Sequence, residues 1–192
     1  IVPEAIEKVR ADSFVMETSI HYPTESSLLY DGLRTILSRC VTLADEHGVN
    51  GWRQHTHLLK KVKKLNRDIN RIAAKKGPHY KRRMQPLYSE LLRITALLTQ
   101  RARDLCLIIS QPSPQMTDMF GPNTLQAFIV RTERVAETAK RRVIDGESVP
   151  HCDKLFSLFE PHTQLYKRGK AGRPIQFGRQ VLVFEDAAGF IV

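Results

Sequence analysis

Cysteine is scarce in this sequence, and so are the motifs that mark several protein classes. The three cysteines, Cys40, Cys106 and Cys152, lie far apart and form no CxxC pair, which disfavours a disulfide framework and predicts a reducing, cytoplasmic location. No apolar run approaches the ~20 residues of a membrane-spanning helix, so we expect no membrane contact. The chain contains no GxSxG motif and no GKS or GKT loop, the usual signatures of serine hydrolases and P-loop proteins.

Acidic residues are also few relative to basic ones. The 192 residues include 30 Lys and Arg against 20 Asp and Glu, a net charge of +10. Hydrophobic residues make up 42% of the chain, which is enough for a packed core and argues against wholesale disorder. A folded protein this basic usually binds a polyanion, and nucleic acid is the commonest one.

Most of the positive charge lies in one stretch. Between Arg53 and Arg83 there are twelve Lys or Arg and one acid, Asp68, a local net charge of +11 that exceeds that of the whole chain. Such a patch predicts contact with nucleic-acid phosphates; the alternative is a solvated helix face. The predicted DNA-binding residues here are Lys60, Lys61, Lys63, Lys64, Arg67, Arg71, Lys75, Lys76, Lys81, Arg82 and Arg83.

A second, smaller basic cluster lies near the C-terminal end of the sequence. Glycines at positions 169, 172 and 178 would let its backbone approach a phosphate closely; the alternative is a flexible basic β-turn. The cluster comprises Lys167, Arg168, Lys170, Arg173 and Arg179, and the first four are its candidate phosphate-binding residues.

Periodicity predicts helices through the middle of the chain. Thr24 is placed to cap a helix over Glu25–Glu46 that Gly48 ends. Three heptad-like seams follow, the second with Pro86 as a first-turn proline, and these three helices should pack as an antiparallel bundle. The first helix should pack on a sheet or lead into that bundle. The seams are Leu58, Val62, Leu65, Ile69 and Ile72; Leu87, Leu91, Ile94, Leu98, Ala102, Leu105 and Ile109; and Leu125, Ile129, Thr132, Ala136, Ala139 and Val143.

Strands are predicted at both ends of the chain. The first covers Val9–Ile20, and two more, Gln180–Glu185 and Gly189–Val192, form a hairpin that should pair with it. Asp12 is an acid inside the first strand, where acids are disfavoured. It is either a metal ligand held rigidly on a central strand or a residue at an exposed edge or strand end with no such role.

Two blocks of sequence resemble one family. ADSFVMETSIHYPTESSLLYDGLR, beginning at Ala11, resembles the start of the catalytic domain in bacterial insertion-sequence transposases of the DDE class, nearest to the group left unclassified. LFSLFEPHTQLYKRGKAGRPIQFGRQVLVFEDAAGFIV, beginning at Leu155, looks like the next two strands of those enzymes. The family has Asp after Tyr-Pro-Thr, where this sequence has Glu25, and often two Thr where it has Ser13 and Phe14.

The resemblance implies an α+β fold: a partial ribonuclease H-like sheet of three strands, with a large helical insertion between strands one and two. The resemblance implies three parts. Residues 1–48 hold the catalytic strand and the helix after it, residues 49–148 form the basic helical insertion, and residues 149–192 hold the second and third strands. Asp12 would be the catalytic acid that binds Mg²⁺ in a site for two ions, while the second and third acids would lie beyond Val192. The resemblance thus implies weak or no binding of Mg²⁺ by this chain alone. We therefore expect a fragment of a longer protein, inactive alone.

The implied function of the full-length protein is metal-dependent cleavage and strand transfer of insertion-sequence DNA. Its partners would be DNA, as element ends and as target, and the resemblance allows a homodimer. The alternatives are a non-enzymatic nucleic-acid-binding helical module and a ribonuclease H-like nuclease outside transposition.

Overall fold

The computed structural model describes residues 9–109, 124–167, 174–186 and 190–191. Over these residues the protein is α+β, as predicted, with a three-stranded antiparallel sheet and four α-helices. Two compact units result, which are described separately. One combines the described residues up to His21 with those from Glu160 onward, and the other comprises the described residues of Tyr22–Phe159.

The sheet brings the two ends of the sequence together. Strand β1 covers Arg10–Glu17, β2 covers Gln164–Lys167 and β3 covers Ile175–Glu185. The order is β1-β3-β2, with both pairings antiparallel. The prediction that the first strand pairs with Gln180–Glu185 is confirmed, and Asp12 lies opposite Val183. All four helices lie between β1 and β2 in the chain.

The strand boundaries differ from the predicted ones. β2 was not predicted, because four residues are too few for a clear alternation. β3 begins five residues before Gln180, ahead of Gly178, which interrupts the strand pattern. A Cβ at Gly178 would lie 2.1 Å from the carbonyl oxygen of Met16, so this glycine allows the two strands to approach closely.

The predicted last strand, Gly189–Val192, is represented by a single bridge. Ile191 pairs with Glu185, and the amide of Phe190 donates to the Asp186 side chain. Gly189 and Val192 lie outside the described residues.

Helix α1 spans Glu25–Glu46, as predicted. The hydroxyl of Thr24 accepts a hydrogen bond from the amide of Ser27, which satisfies a free donor of the first turn. Gly48, with φ of 66°, follows the last turn in the left-handed conformation that favours glycine. The prediction of both helix ends is confirmed.

The three seams lie on helices α2, His55–Lys75; α3, Tyr80–Ile109; and α4, Leu125–Ala139. Lys140–Ile144 continues α4 as a π-helical turn. The interpretation of Pro86 as a first-turn proline is wrong, because α3 begins six residues earlier, at Tyr80. A proline there removes one backbone hydrogen bond, at about 3 kcal/mol. Burial of Met84 and Tyr88 on either side of it holds the helix together.

The bundle contains four helices rather than the three that were predicted from the heptad-like seams, because α1 packs against α2, α3 and α4. Leu29, Leu33 and Ile36 of α1 are fully buried in the common core. The unit boundaries near 21 and 159 therefore differ from those drawn at 48 and 148. None of the helices in the described ranges is long and apolar enough to cross a membrane, and all three cysteines carry free thiols.

Candidate functional site

The exposed side of α2 carries a row of cations, here called the α2 basic face. At about 100° of turn and 1.5 Å of rise per residue, its six members fall within an arc of about 120° and span about 22 Å. All six side chains are exposed. The α2 basic face comprises Lys60, Lys63, Lys64, Arg67, Arg71 and Lys75.

The opposite side of α2 attaches the helix to the bundle. Val62 and Ile69 are buried, and Leu58, Leu65 and Ile72 are partly buried against the same core. This amphipathic division explains the direction of the basic side chains, because apolar burial fixes which face meets solvent.

An amide network adds polar contacts on the flank of α2. The Asn70 amide donates to the Asn66 side chain at 3.0 Å, and the hydroxyl of Ser26 donates to Asn70 at 3.5 Å. Ser26 is fully buried in α1, so this network links α2 to the first turn of the preceding helix.

Two of the predicted DNA-binding residues have acidic partners. Lys61 Nζ lies 2.7 Å from Glu90 Oε1 of α3, and Arg71 Nη2 lies 3.3 Å from Asp68 Oδ1. The guanidinium of Arg93 also donates to Glu90. Hydrogen bonds from Arg93 and then Lys61 lower the pKa of Glu90 to about 2, so this carboxylate is ionised and compensates Lys61.

The other predicted DNA-binding residues on α2, α3 and the turn between them form no ion pair with any carboxylate of the described ranges. Four of them extend the positive surface beyond α2: Lys76, Lys81, Arg82 and Arg83, all exposed. The first turn of α3 contains no acid, and the positive end of its helix dipole lies beside these cations. The electrostatic potential around this turn therefore favours an anion.

Asp12 lies on an exposed position of β1. Its Oδ1 accepts a hydrogen bond from the amide of Ser13 at 2.7 Å. Within the described sheet β1 pairs on one side only, with β3, so Asp12 stands on an edge strand rather than a central one. Glu185 is two residues from Val183, the partner of Asp12, and the alternation of strands puts both acids on one face.

The described residues supply Asp12 as one acid of the site for divalent ions that the resemblance implies. Among them, no group of three or more His, Cys, Asp or Glu side chains converges where a metal ion could be held. Mg²⁺ is usually held by one or two carboxylates together with waters and substrate phosphates, and a two-ion site needs several fixed acids. Asp12 would therefore be one ligand of such a site among several.

Glu25, which replaces the expected Asp after Tyr-Pro-Thr, has a structural role. Its two carboxylate oxygens accept hydrogen bonds from Nε and Nη2 of Arg142 at 2.6 and 2.7 Å. The pair joins the first turn of α1 to the π-helical turn after α4. Sequence reasoning missed this contact, because nothing local connects two residues 117 positions apart.

The second basic cluster is described only in part. Lys167 is the last residue of β2 and is exposed. Arg168, Lys170 and Arg173 lie outside the described residues. The structure thus brings the predicted DNA-binding residues of α2 and the α2–α3 turn onto neighbouring elements of one unit, whereas Asp12 and Lys167 belong to the sheet unit.

Comparisons with known proteins identified no relative of this chain. No family model matches the chain, no curated protein matches it, and no solved structure matches it.

Proposed function

We propose that this chain is the DNA-holding part of a DDE-class transposase. Helix α2 binds the phosphate backbone, and Asp12 supplies one carboxylate of the catalytic site. The observation that carries the DNA-binding part is the α2 basic face. Repulsion among six neighbouring cations costs stability, and a row of phosphates would convert that repulsion into binding energy and release condensed counterions.

The enzymatic part of the proposal depends on the sequence resemblance. Two features of the fold support it: Asp12 stands on the first strand of an antiparallel sheet, and the helices are inserted between the first and second strands. We also propose that the sheet is ribonuclease H-like. A divalent ion, when bound, would supply Lewis-acid chemistry at the phosphodiester, and Asp12 would hold it together with ligands from outside the described residues.

The test uses the protein as the gene encodes it, Mg²⁺, and labelled DNA carrying the ends of the flanking element. Asp12→Asn removes the charge at nearly constant shape, and its exposed position predicts an unchanged fold. We expect strand cleavage to be lost while DNA affinity stays within twofold, roughly the effect of a neutral surface substitution. Equal cleavage by the two proteins would remove Asp12 from the catalytic site.

A non-enzymatic nucleic-acid-binding module is the second candidate, favoured by the α2 basic face, whose exposed cations can bind phosphates without any catalytic group. The same experiment separates the two functions. A module of this kind would bind the DNA through α2 and leave it uncut in Mg²⁺ whether position 12 is Asp or Asn.

A further inference from the structure

We infer that the α2 basic face holds duplex DNA along its phosphates, without stacking on bases and without reading their sequence. This inference rests on the proposed function, since it specifies the form of nucleic acid and the kind of contact. Three properties of α2 and its surroundings support it: the rigid spacing of the cations, the lack of an aromatic platform, and the engagement of the nearby amides.

The spacing of the cations suits a regular, stiff polyanion. Their row of about 22 Å is fixed by the backbone of one helix, and a DNA duplex carries one negative charge for about every 1.7 Å of its axis. A duplex presents its phosphates in a preformed array, whereas a single strand must first be ordered to match the helix. Because both the helix and the duplex are preorganised, less entropy is lost when they bind.

Phe, Tyr and Trp, the usual platforms for stacking on unpaired bases, are missing from α2, whose sequence is HTHLLKKVKKLNRDINRIAAK and whose rings are the imidazoles of His55 and His57 in its first turn. Sites for single strands usually combine a basic groove with aromatic platforms. Trp52, which precedes the helix, is only 9% exposed, and the guanidinium carbon of Arg101 lies 4.9 Å from the centre of its ring. This indole is therefore covered.

Three of the four α2 side chains best suited to reading bases, Asn66, Asn70 and Arg71, are engaged elsewhere, and Arg67 is the exception. Asn and Gln read adenine through paired hydrogen bonds, but Asn66 and Asn70 bond to each other and Asn70 also accepts from Ser26. Arg71, which could read guanine, pairs with Asp68. Four of the six residues in the α2 basic face are lysines, which act as point charges towards phosphate rather than as forked readers.

The experiment compares Lys64→Gln/Arg67→Gln with a control of equal net charge, Arg34→Gln/Lys140→Gln, whose exposed cations lie outside α2. Binding is measured by fluorescence anisotropy on a duplex, a duplex of scrambled sequence and a single strand of equal length, at several salt concentrations. Circular dichroism establishes that both variants keep the helical content of the wild type.

We expect the wild type to bind both duplexes equally and the single strand more weakly. The α2 variant should lose about tenfold in duplex affinity, and its slope of log K against log salt should be about 2 less steep, at about 0.9 per phosphate contact. The control should keep the wild-type slope. Tighter binding of the single strand through α2, or an α2-dependent preference between the duplexes, would overturn this inference while leaving DNA binding intact. A variant that matches the wild type on every ligand would overturn the proposed DNA-binding role itself.

Discussion

Lys61 and Glu90 form an ion pair between α2 and α3, with 2.7 Å between Lys61 Nζ and Glu90 Oε1. Lys61 is adjacent in sequence to Lys60, yet a step of about 100° around the helix separates their side chains. Lys60 meets solvent on the α2 basic face, whereas Lys61 contacts a carboxylate. Net charge alone does not distinguish these two lysines, but their surroundings do.

The Glu90 pair predicts a pH dependence of stability. Hydrogen bonds from Arg93 and Lys61 lower the pKa of Glu90 from 4.5 to about 2. A lowered folded-state pKa stabilises the protein fully above the ordinary value, and this stabilisation is lost as the pH falls through about 2. We therefore expect Glu90→Gln to melt below the wild type near neutral pH, and the two melting temperatures to converge towards pH 2. A difference that stays constant down to that pH would contradict the role of ionised Glu90.

Gly32→Ala tests the close packing of α1 on α4. A Cβ at Gly32 would lie 2.3 Å from Oγ1 of Thr132, whose hydroxyl is buried and donates to the carbonyl of Phe128. Replacing a mid-helix glycine by alanine normally gains about 1 kcal/mol, but overpacking costs about 1–3 kcal/mol. We expect the free energy of unfolding, measured by urea denaturation, to fall.

The matched control for Gly32→Ala is the same change in a Thr132→Ala background. Removal of both threonine branch atoms leaves room for the new methyl group, so Gly32→Ala should cost less there than in the wild type. An equal cost in the two backgrounds would contradict the packing explanation, since residues in contact show coupling energies in such a cycle.

Glu25→Asp tests the contact that joins α1 to the turn after α4. Shortening the side chain withdraws the carboxylate by about one C–C bond, roughly 1.5 Å, and breaks the two-point contact with Arg142. Side-chain exposure at Glu25 is 17%, so solvent screens this pair only in part. We expect a loss of about 1 kcal/mol in the free energy of unfolding, measured by urea denaturation. In an Arg142→Ala background the same change should have little effect; a full loss there would rule out the pair as its cause.

Local signals in the sequence predicted much of the helical unit. Each of these signals acts within a few residues: the hydroxyl of Thr24, the glycine at 48 and the regular steps of the α2 seam. The corresponding helix ends and buried faces can therefore be predicted from the sequence alone. The orientation of the basic side chains follows in the same way. Leu58, Val62 and their successors face the core, which leaves the cations on the opposite side.

Features that depend on distant residues could not be read in this way. Pro86 obeys a local rule for first turns, but packing of Met84 and Tyr88 extends α3 past it. Strand β2 pairs with part of β3 over only four residues, too few to leave a periodic signal. Which lysine of a basic run is compensated depends on Glu90, which lies 29 positions from Lys61 and belongs to another helix.

The exposed row of cations on α2 is proposed to hold DNA, and two neighbouring lysines distinguish this role from attraction by net charge. Lys60→Gln and Lys61→Gln remove the same charge from adjacent positions, so net charge and long-range attraction are matched. In titrations of duplex DNA against salt, we expect Lys60→Gln to flatten the slope of log K against log salt by about 0.9 and Lys61→Gln to leave it nearly unchanged. Equal slopes for the two variants would show that binding depends on net charge rather than on the α2 basic face.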